Sequence, residues 1–316
     1  MSHLVLVAEE LDPVCEAWLR ERAEVLRVPH DDPSFHDALS RADALIVRTY
    51  TIVNDALLNR APKLKVVARA GVGLDNISLP DCAERNIPVV YTPDANTSAV
   101  TELLFALLLD RLRPRTRLTK ALPPKEWKAL RSSLLAPRQL ADLTLGILGL
   151  GRVGRSVTRA ATALRMRVIY HDLLDIPQDQ RAGAEPVSRD ALLSESDVLS
   201  IHVDDRASNR RLIGSAELAR MKPDAILINT SRGFVLDSCA LAQHLQAHGQ
   251  FSTIIDVHEP EPPSDDYPLF HTERAMLTPH IGAATARAHR NMSWVVRDVW
   301  RVLSNEKPEF QAAPRA

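Results

Sequence analysis

The sequence predicts an α/β protein built from two doubly wound, Rossmann-like parallel-sheet domains with an intervening cleft. Three observations predict it. Short apolar, β-branched runs alternate with longer amphipathic stretches along the chain, the pattern of repeated βαβ units. Most of those runs lack strict polar–apolar alternation, as strands buried on both faces do. The length of 316 residues suggests two domains at roughly 150 residues each.

The strand-like runs fall into two groups. Leu4–Ala8, Ala44–Val47, Lys65–Ala68 and Pro88–Tyr91 form the first, and Leu145–Leu148, Val168–Tyr170, Val198–Val203, Ala225–Asn229 and Thr253–Val257 the second. Helical patterns lie between them, among them Val153–Leu164, Ser215–Met221 and Ser238–His248. A longer pattern runs from Thr97 to about Lys120, with Asn96 or Thr97 able to cap it and Pro114 placed to kink or end it. It reads as the crossover between the domains. Burial within one chain and packing against a partner chain account equally for its apolar run, Leu103–Leu109. A last pattern, Ala283 to about Leu303, carries the chain back to the first domain. The expected domains are therefore 1–98 plus 288–316, and 99–287.

Composition narrows the function classes. With 45% hydrophobic residues, 25% charged residues and a net charge of −1, the chain has an ordinary globular profile. A disordered chain and a strongly basic nucleic-acid binder are excluded. The longest apolar run falls well short of the ~20 residues a membrane span needs. Met1 to Val7 lacks the basic region and length of a signal peptide and reads as a first buried strand. Cys15, Cys82 and Cys239 are far apart and form no C-x-x-C. They read as three small core residues in a reducing, cytoplasmic setting, with neither disulfides nor a metal site expected.

Gly149-Leu150-Gly151-Arg152-Val153-Gly154 is a G-x-G-x-x-G. Alone it is a weak signal, since glycines also serve plain tight turns. Its context raises it. A strand pattern, Leu143–Leu148, precedes it, a helical pattern follows, and the next strand ends at His171-Asp172, with Asp172 placed 23 positions after Gly149. A dinucleotide fingerprint has this layout. Gly149 permits the turn, Gly151 lets backbone approach a pyrophosphate, and Gly154 lets helix and strand pack. The pyrophosphate would sit at the helix N-terminus, where unpaired N–H groups favour anions. Asp172 would accept from the adenosine ribose hydroxyls and repel a 2′-phosphate, so NAD is favoured over NADP.

Further motifs carry a resemblance. Val47-Arg48-Thr49 and the segment Arg69 to Ile77 lie in the first domain. Asn229-Thr230-Ser231-Arg232-Gly233, Asp256 to Pro262 and Thr278 to Thr285 follow in the second. With these the chain resembles the NAD-dependent D-2-hydroxyacid dehydrogenase family over nearly its whole length. Phosphoglycerate dehydrogenases and hydroxypyruvate or glyoxylate reductases look closest. The resemblance implies catalytic roles for Arg232, Glu261 and His280. It implies cofactor contacts from Arg152, Val153, Val203, Thr230, Asp256, His280 and Gly282 beside those of the glycine turn and Asp172. It also implies substrate contacts from Arg48, Gly71, Val72, Gly73 and Arg232, making 1–98 plus 288–316 a substrate-binding domain and 99–287 an NAD-binding domain. A small 2-hydroxy or 2-keto acid is the implied partner, acted on by a homodimer with no nucleic-acid or membrane partner.

The chemistry supports these roles independently. Reducing a 2-keto acid needs a cation for its carboxylate, and Arg232 offers a planar, always-charged fork. It needs a proton donor for the oxygen that becomes hydroxyl, and His280 titrates in the working range. A carboxylate on the other ring nitrogen would orient the imidazole and raise its pKa. Glu261 and Glu259 both precede a proline. The family's functional Glu stands five places after the strand-end Asp, and counting from Asp256 selects Glu261. Gly71-Val72-Gly73 suits a backbone nest for the substrate carboxylate, or a plain strand-end turn.

Two departures from the family pattern bear on substrate and cofactor. A loop usually like His-x-Pro-Leu is here His202-Val203-Asp204-Asp205, whose two acids add to the exclusion of a 2′-phosphate. Phosphoglycerate dehydrogenases often carry an Arg two places after a Trp such as Trp127. Here that place is Ala129, with Arg48 or Arg131 as replacements. The alternatives to a general D-2-hydroxyacid dehydrogenase are a 3-phosphoglycerate dehydrogenase and a non-catalytic NAD(H)-sensing regulator.

Overall fold

The computed structural model describes residues 3–113 and 115–313. The chain forms two compact units, Met1–Asn96 with Ala283–Ala316, and Thr97–Gly282. In the first, strands β1 (Leu4–Val7), β2 (Glu24–Arg27), β3 (Ala44–Val47), β4 (Val66–Arg69) and β5 (Val89–Tyr91) form a parallel sheet in the order β2-β1-β3-β4-β5. Successive side chains feed opposite cores. Leu6, Leu45 and Val67 pack on one face, and Val5, Ile46 and Val66 on the other, the latter with Val296 and Val299 of the returning C-terminal segment.

The second unit holds β6 (Thr144–Leu148), β7 (Arg167–His171), β8 (Glu185–Pro186), β9 (Val198–Ile201), β10 (Ile226–Asn229), β11 (Ser252–Ile255) and β12 (Ala275–Leu277). These are parallel in the order β12-β11-β10-β9-β6-β7-β8. Every residue of β9, β10 and β11 is buried, which is why these strands read as continuous apolar runs. In both sheets the strand order reverses at the first strand, β1 or β6. Loops after the carboxyl ends of strands around such a reversal open a crevice for ligands.

Several sequence expectations need correction. β2, β8 and β12 escape the pattern reading, and all three are sheet edges with partly exposed residues in place of a buried run. The helix starting at Thr97 ends at Leu112 rather than near Lys120, because Arg113 and the residues 115–121 are exposed and bury no apolar face. Pro114, assigned as its kink or stop, lies outside the described residues. The pattern Ala283 to Leu303 forms two helices, Ala286–Ser293 and Val296–Leu303. Between them the hydrogen bonds tighten by one residue, Val295 N–H to Met292 O and Arg297 N–H to Trp294 O, where Val295 and Val296 enter the core. Cys15 and Cys82 are buried, but Cys239 is exposed on the first turn of the helix Ser238–Ala247. Among the described residues no helix is long and apolar enough to cross a membrane, and no group of three or more His, Cys, Asp or Glu is arranged to hold a metal.

Candidate active site

The glycine turn follows β6 directly. Gly149 takes φ +93°, a conformation that side chains rarely adopt, and a Cβ there would lie 2.7 Å from the His202 carbonyl oxygen. A Cβ on Gly154 would stand 2.3 Å from the Gly149 carbonyl oxygen, so only glycine lets the helix Arg152–Ala163 approach the turn this closely. At Gly151 the position of a Cβ is open, with nothing within 4 Å, and no side chain caps the helix that starts beside it. The N-terminus of that helix, which opens at Arg152 and Val153, carries the partial positive charge that favours an anion. Asp172 closes the turn: one carboxylate oxygen accepts the Leu150 N–H at 2.7 Å and the other the Leu174 N–H at 2.9 Å.

The segment after β9 crosses the same turn, with Val203 N placed 3.2 Å from where a Gly149 Cβ would be. The half-buried His202 bonds to Ser200 Oγ at 2.9 Å, and loss of solvent around its ring pushes its pKa down to about 4. Asp204 holds Arg206 through two 2.7 Å bonds, so Asp204 does not act as a bare negative charge. Among the described residues the Thr230 hydroxyl is buried without a hydrogen-bond partner, and so is that of Thr97. An uncapped helix, an open glycine and orphaned hydroxyls are features that a bound dinucleotide completes, and these residues fit one. Thr97 carried only a capping role in the sequence, and only its burial marks it.

Arg232, Glu261 and His280 follow three neighbouring strands, β10, β11 and β12. Asn229, at the end of β10, shapes the Arg232 loop. Its side-chain oxygen accepts the Ser231 N–H and hydroxyl, and its amide donates to the Arg232 carbonyl at 2.9 Å. Glu261 uses both oxygens, one accepting the His258 N–H at 2.8 Å and the other bonded to His280 Nδ1 at 2.8 Å. Glu259 instead receives Arg210 through bonds of 2.7 and 3.0 Å, away from the histidine. His280 itself takes φ +53°, an unusual backbone for a residue with a side chain.

Buried Asp256 holds the His280 loop. One oxygen accepts the Thr278 hydroxyl at 2.6 Å and the Ile281 N–H at 2.8 Å, and the other accepts the Gly282 N–H at 2.8 Å. Electrostatics follow from this geometry. The hydrogen bond that His280 donates to Glu261 raises the His280 pKa above its ordinary value. Burial opposes that rise, Asp256 adds to it, and the nearby Arg232 charge works against it. Burial would raise the Glu261 carboxyl, but the His280 and His258 donors hold it below the usual carboxylate range.

In the first unit, Arg48 follows β3 and Gly71 follows β4. Glu9, just past β1, receives the backbone N–H groups of Arg48, Thr49, Tyr50 and Thr51, and the Thr51 hydroxyl at 3.0 Å. Arg48 Nη1 reaches the Glu10 carbonyl at 3.3 Å. Neither Gly71 nor Gly73 uses a left-handed backbone, as alternating nest geometry would. Glycine at 71 instead makes room for Arg69, whose Nη1 lies 2.0 Å from where a Cβ would be. Sequence reasoning missed Glu9 as an organiser, because an acid after a first strand carries no motif.

A glycine-turn dinucleotide site at a sheet's reversal point, with an arginine and a carboxylate-paired histidine after neighbouring strands, defines a nicotinamide-dependent dehydrogenase. Residues 105–282 match the family described as D-isomer specific 2-hydroxyacid dehydrogenase, NAD binding domain. The chain is 33% identical to a hydroxypyruvate reductase of Thermotoga maritima, over 92% of this chain and 90% of that protein. It is 36% identical to a D-3-phosphoglycerate dehydrogenase of Mycobacterium bovis over 90% of this chain, but spans only 54% of that longer protein. A crystal structure of D-lactate dehydrogenase from Aquifex aeolicus, complexed with NAD and lactic acid, superposes with a TM-score of 0.80 at 26% identity, covering 96% of each chain. The chain belongs to the D-isomer specific 2-hydroxyacid dehydrogenase family, and its cofactor is NAD.

Proposed function

We propose that this protein interconverts a 2-keto acid and its D-2-hydroxy acid, with Arg232 holding the substrate carboxylate and His280 carrying the proton. The observation that carries this reading is the 2.8 Å bond from His280 Nδ1 to Glu261. It makes Nδ1 the donor to the carboxylate and leaves Nε2 to exchange a proton with substrate. Bound NADH supplies the hydride. Arg232 polarises the carbonyl and binds the carboxylate. His280, kept protonated to higher pH by Glu261, gives its proton to the oxygen that becomes hydroxyl.

The turn residues Gly149, Gly151, Arg152, Val153 and Gly154, with Val203, Thr230, Asp256 and Gly282, form the proposed dinucleotide site, and Asp172 would receive the adenosine ribose. Arg48, Gly71, Val72 and Gly73 are the proposed first-unit substrate residues. This assigns substrate binding to 1–98 plus 288–316 and NAD binding to 99–287. The three free thiols fit a reducing cytoplasmic setting. Retention of Arg232, Glu261 and His280 disfavours a non-catalytic sensor. The D-3-phosphoglycerate dehydrogenase relative keeps phosphohydroxypyruvate among the candidate substrates, although Ala129 removes one expected phosphate partner.

The test is a panel of 2-keto acids with NADH, including hydroxypyruvate, glyoxylate and phosphohydroxypyruvate, run beside His280→Asn. Turnover of at least one member is expected, with a loss of about 10²–10⁴-fold in the variant. No turnover across the panel, or a fully active variant, would refute the reading.

A further inference from the structure

We propose that His258 is the positioning residue of the proton-carrying pair: its ring holds the turn that presents His280, and its own amide holds Glu261. The inference rests on the reading of His280 as proton carrier. His258 is buried just after β11, and Nε2 lies 2.9 Å from the Thr278 carbonyl oxygen. A carbonyl only accepts, so Nε2 carries the proton, and in the neutral ring Nδ1 is the acceptor. The Tyr267 hydroxyl stands 3.3 Å from Nδ1, as the donor that this tautomer requires. Burial, with the Glu261 charge adding to it, pushes the Tyr267 phenol up to about 12, so it stays a donor across the working pH range.

The Thr278 carbonyl is the centre of the device. It accepts from the His258 ring and, at 3.0 Å, from the His280 N–H, closing a turn in which His280 sits at φ +53°. Such a backbone persists in a side-chain-bearing residue only when its surroundings hold it there. The Thr278 hydroxyl is tied to Asp256. His258 thus grips the turn from one side while its amide fixes the Glu261 oxygen that His280 does not use. The charged groups facing His280 are Glu261, Asp256 and Arg232.

The test uses the NADH-bound full-length enzyme with isotopically labelled histidine, following the His280 titration by NMR beside the steady-state pH profile. His258→Phe keeps a ring of similar size but loses both nitrogens. The expected result is a His280 pKa displaced toward its ordinary 6.5, a kcat lower by on the order of 10-fold, and unchanged NADH affinity. His258→Gln, which can still donate to Thr278, should restore part of both. A variant whose His280 titrates as in the unmodified enzyme overturns the proposal, even if kcat falls, because the pair would then be intact and the loss would come from packing alone. Should His258→Phe not fold, His258→Asn decides: it keeps an acceptor for the Tyr267 hydroxyl but is too short to donate to the Thr278 carbonyl, and an unmoved His280 titration overturns the proposal equally. Full activity in His280→Asn would defeat the proton-carrier reading and this one together. An inactive His280→Asn beside a normally titrating His258→Phe defeats this one alone.

Discussion

At the scale of single residues, the bond that matters most is the one between Glu261 and His280. A histidine whose pKa is raised by a carboxylate is protonated below that raised value, so reduction should decline as the pH rises through it. Glu261→Gln removes the charge that stabilises the imidazolium, and the descending limb of kcat/KM for reduction should move to lower pH. Glu259→Gln, whose carboxylate is occupied by Arg210, should leave the limb in place. The reverse result in paired pH profiles would mean that the wrong glutamate has been chosen. Arg232 yields a second expectation. Arg232→Lys keeps the charge but loses the planar fork, so kcat/KM for the keto acid should fall by about 10-fold or more with little change in NADH affinity. An unimpaired lysine variant would show that another cation binds the carboxylate. Both proposed roles came from motif membership in the sequence, and counting from Asp256 chose Glu261, the glutamate that the structure bonds to His280. The anchoring of the His280 loop by Asp256 and His258 was not legible, since their partners lie some twenty residues away on the next strand's loop.

At the scale of elements, Glu9 shows how one carboxylate organises a loop. Four backbone donors and one hydroxyl of residues 48–51 converge on it. Burial would raise its pKa, but those backbone donors hold it below the ordinary 4.5. A carboxylate with a lowered folded pKa contributes stability above its unfolded pKa and loses it as the pH falls through the folded value. Glu9→Gln should therefore cost about 1–3 kcal/mol at neutral pH, shrinking toward zero below the ordinary value, as read by thermal melts at a series of pH values. An equal penalty at pH 7 and well below pH 4 would show that shape rather than charge holds the loop. The strands were legible in proportion to their burial. β3, β9, β10 and β11, buried throughout, stood out as apolar runs, whereas the edges β2, β8 and β12 did not. An edge strand keeps one side in solvent and selects no continuous apolar sequence.

At the scale of the whole molecule, the helix Pro124–Ser133 has no buried residue. Around it Leu118 and Trp127 are each 46% exposed and Leu135 is 84% exposed. An isolated ten-residue helix is marginal in water, and most helical stability comes from tertiary packing of one face. A second copy of the chain covering this segment, in the homodimer expected from the sequence, would supply that packing. Sedimentation velocity at micromolar concentration should show a dimer, and Trp127→Glu should weaken it. A monomer in the unmodified protein would sink the dimer, and an undisturbed dimer in the variant would move the interface elsewhere. The sequence by itself determined the α/β class and the glycine turn, and it singled out Arg232, Glu261 and His280 as the candidates for catalysis. These depend on local rules: periodicity of burial, the φ that only glycine tolerates, and residue chemistry at fixed spacing. Tertiary structure decided what holds those residues in place. The hydrogen bonds that the loop after β12 donates to Asp256 and accepts from His258, and those that the loop after β3 donates to Glu9, join segments separated by intervening helices and strands. Such bonds leave no periodic trace along the chain, because their partners become neighbours only when the sheets assemble.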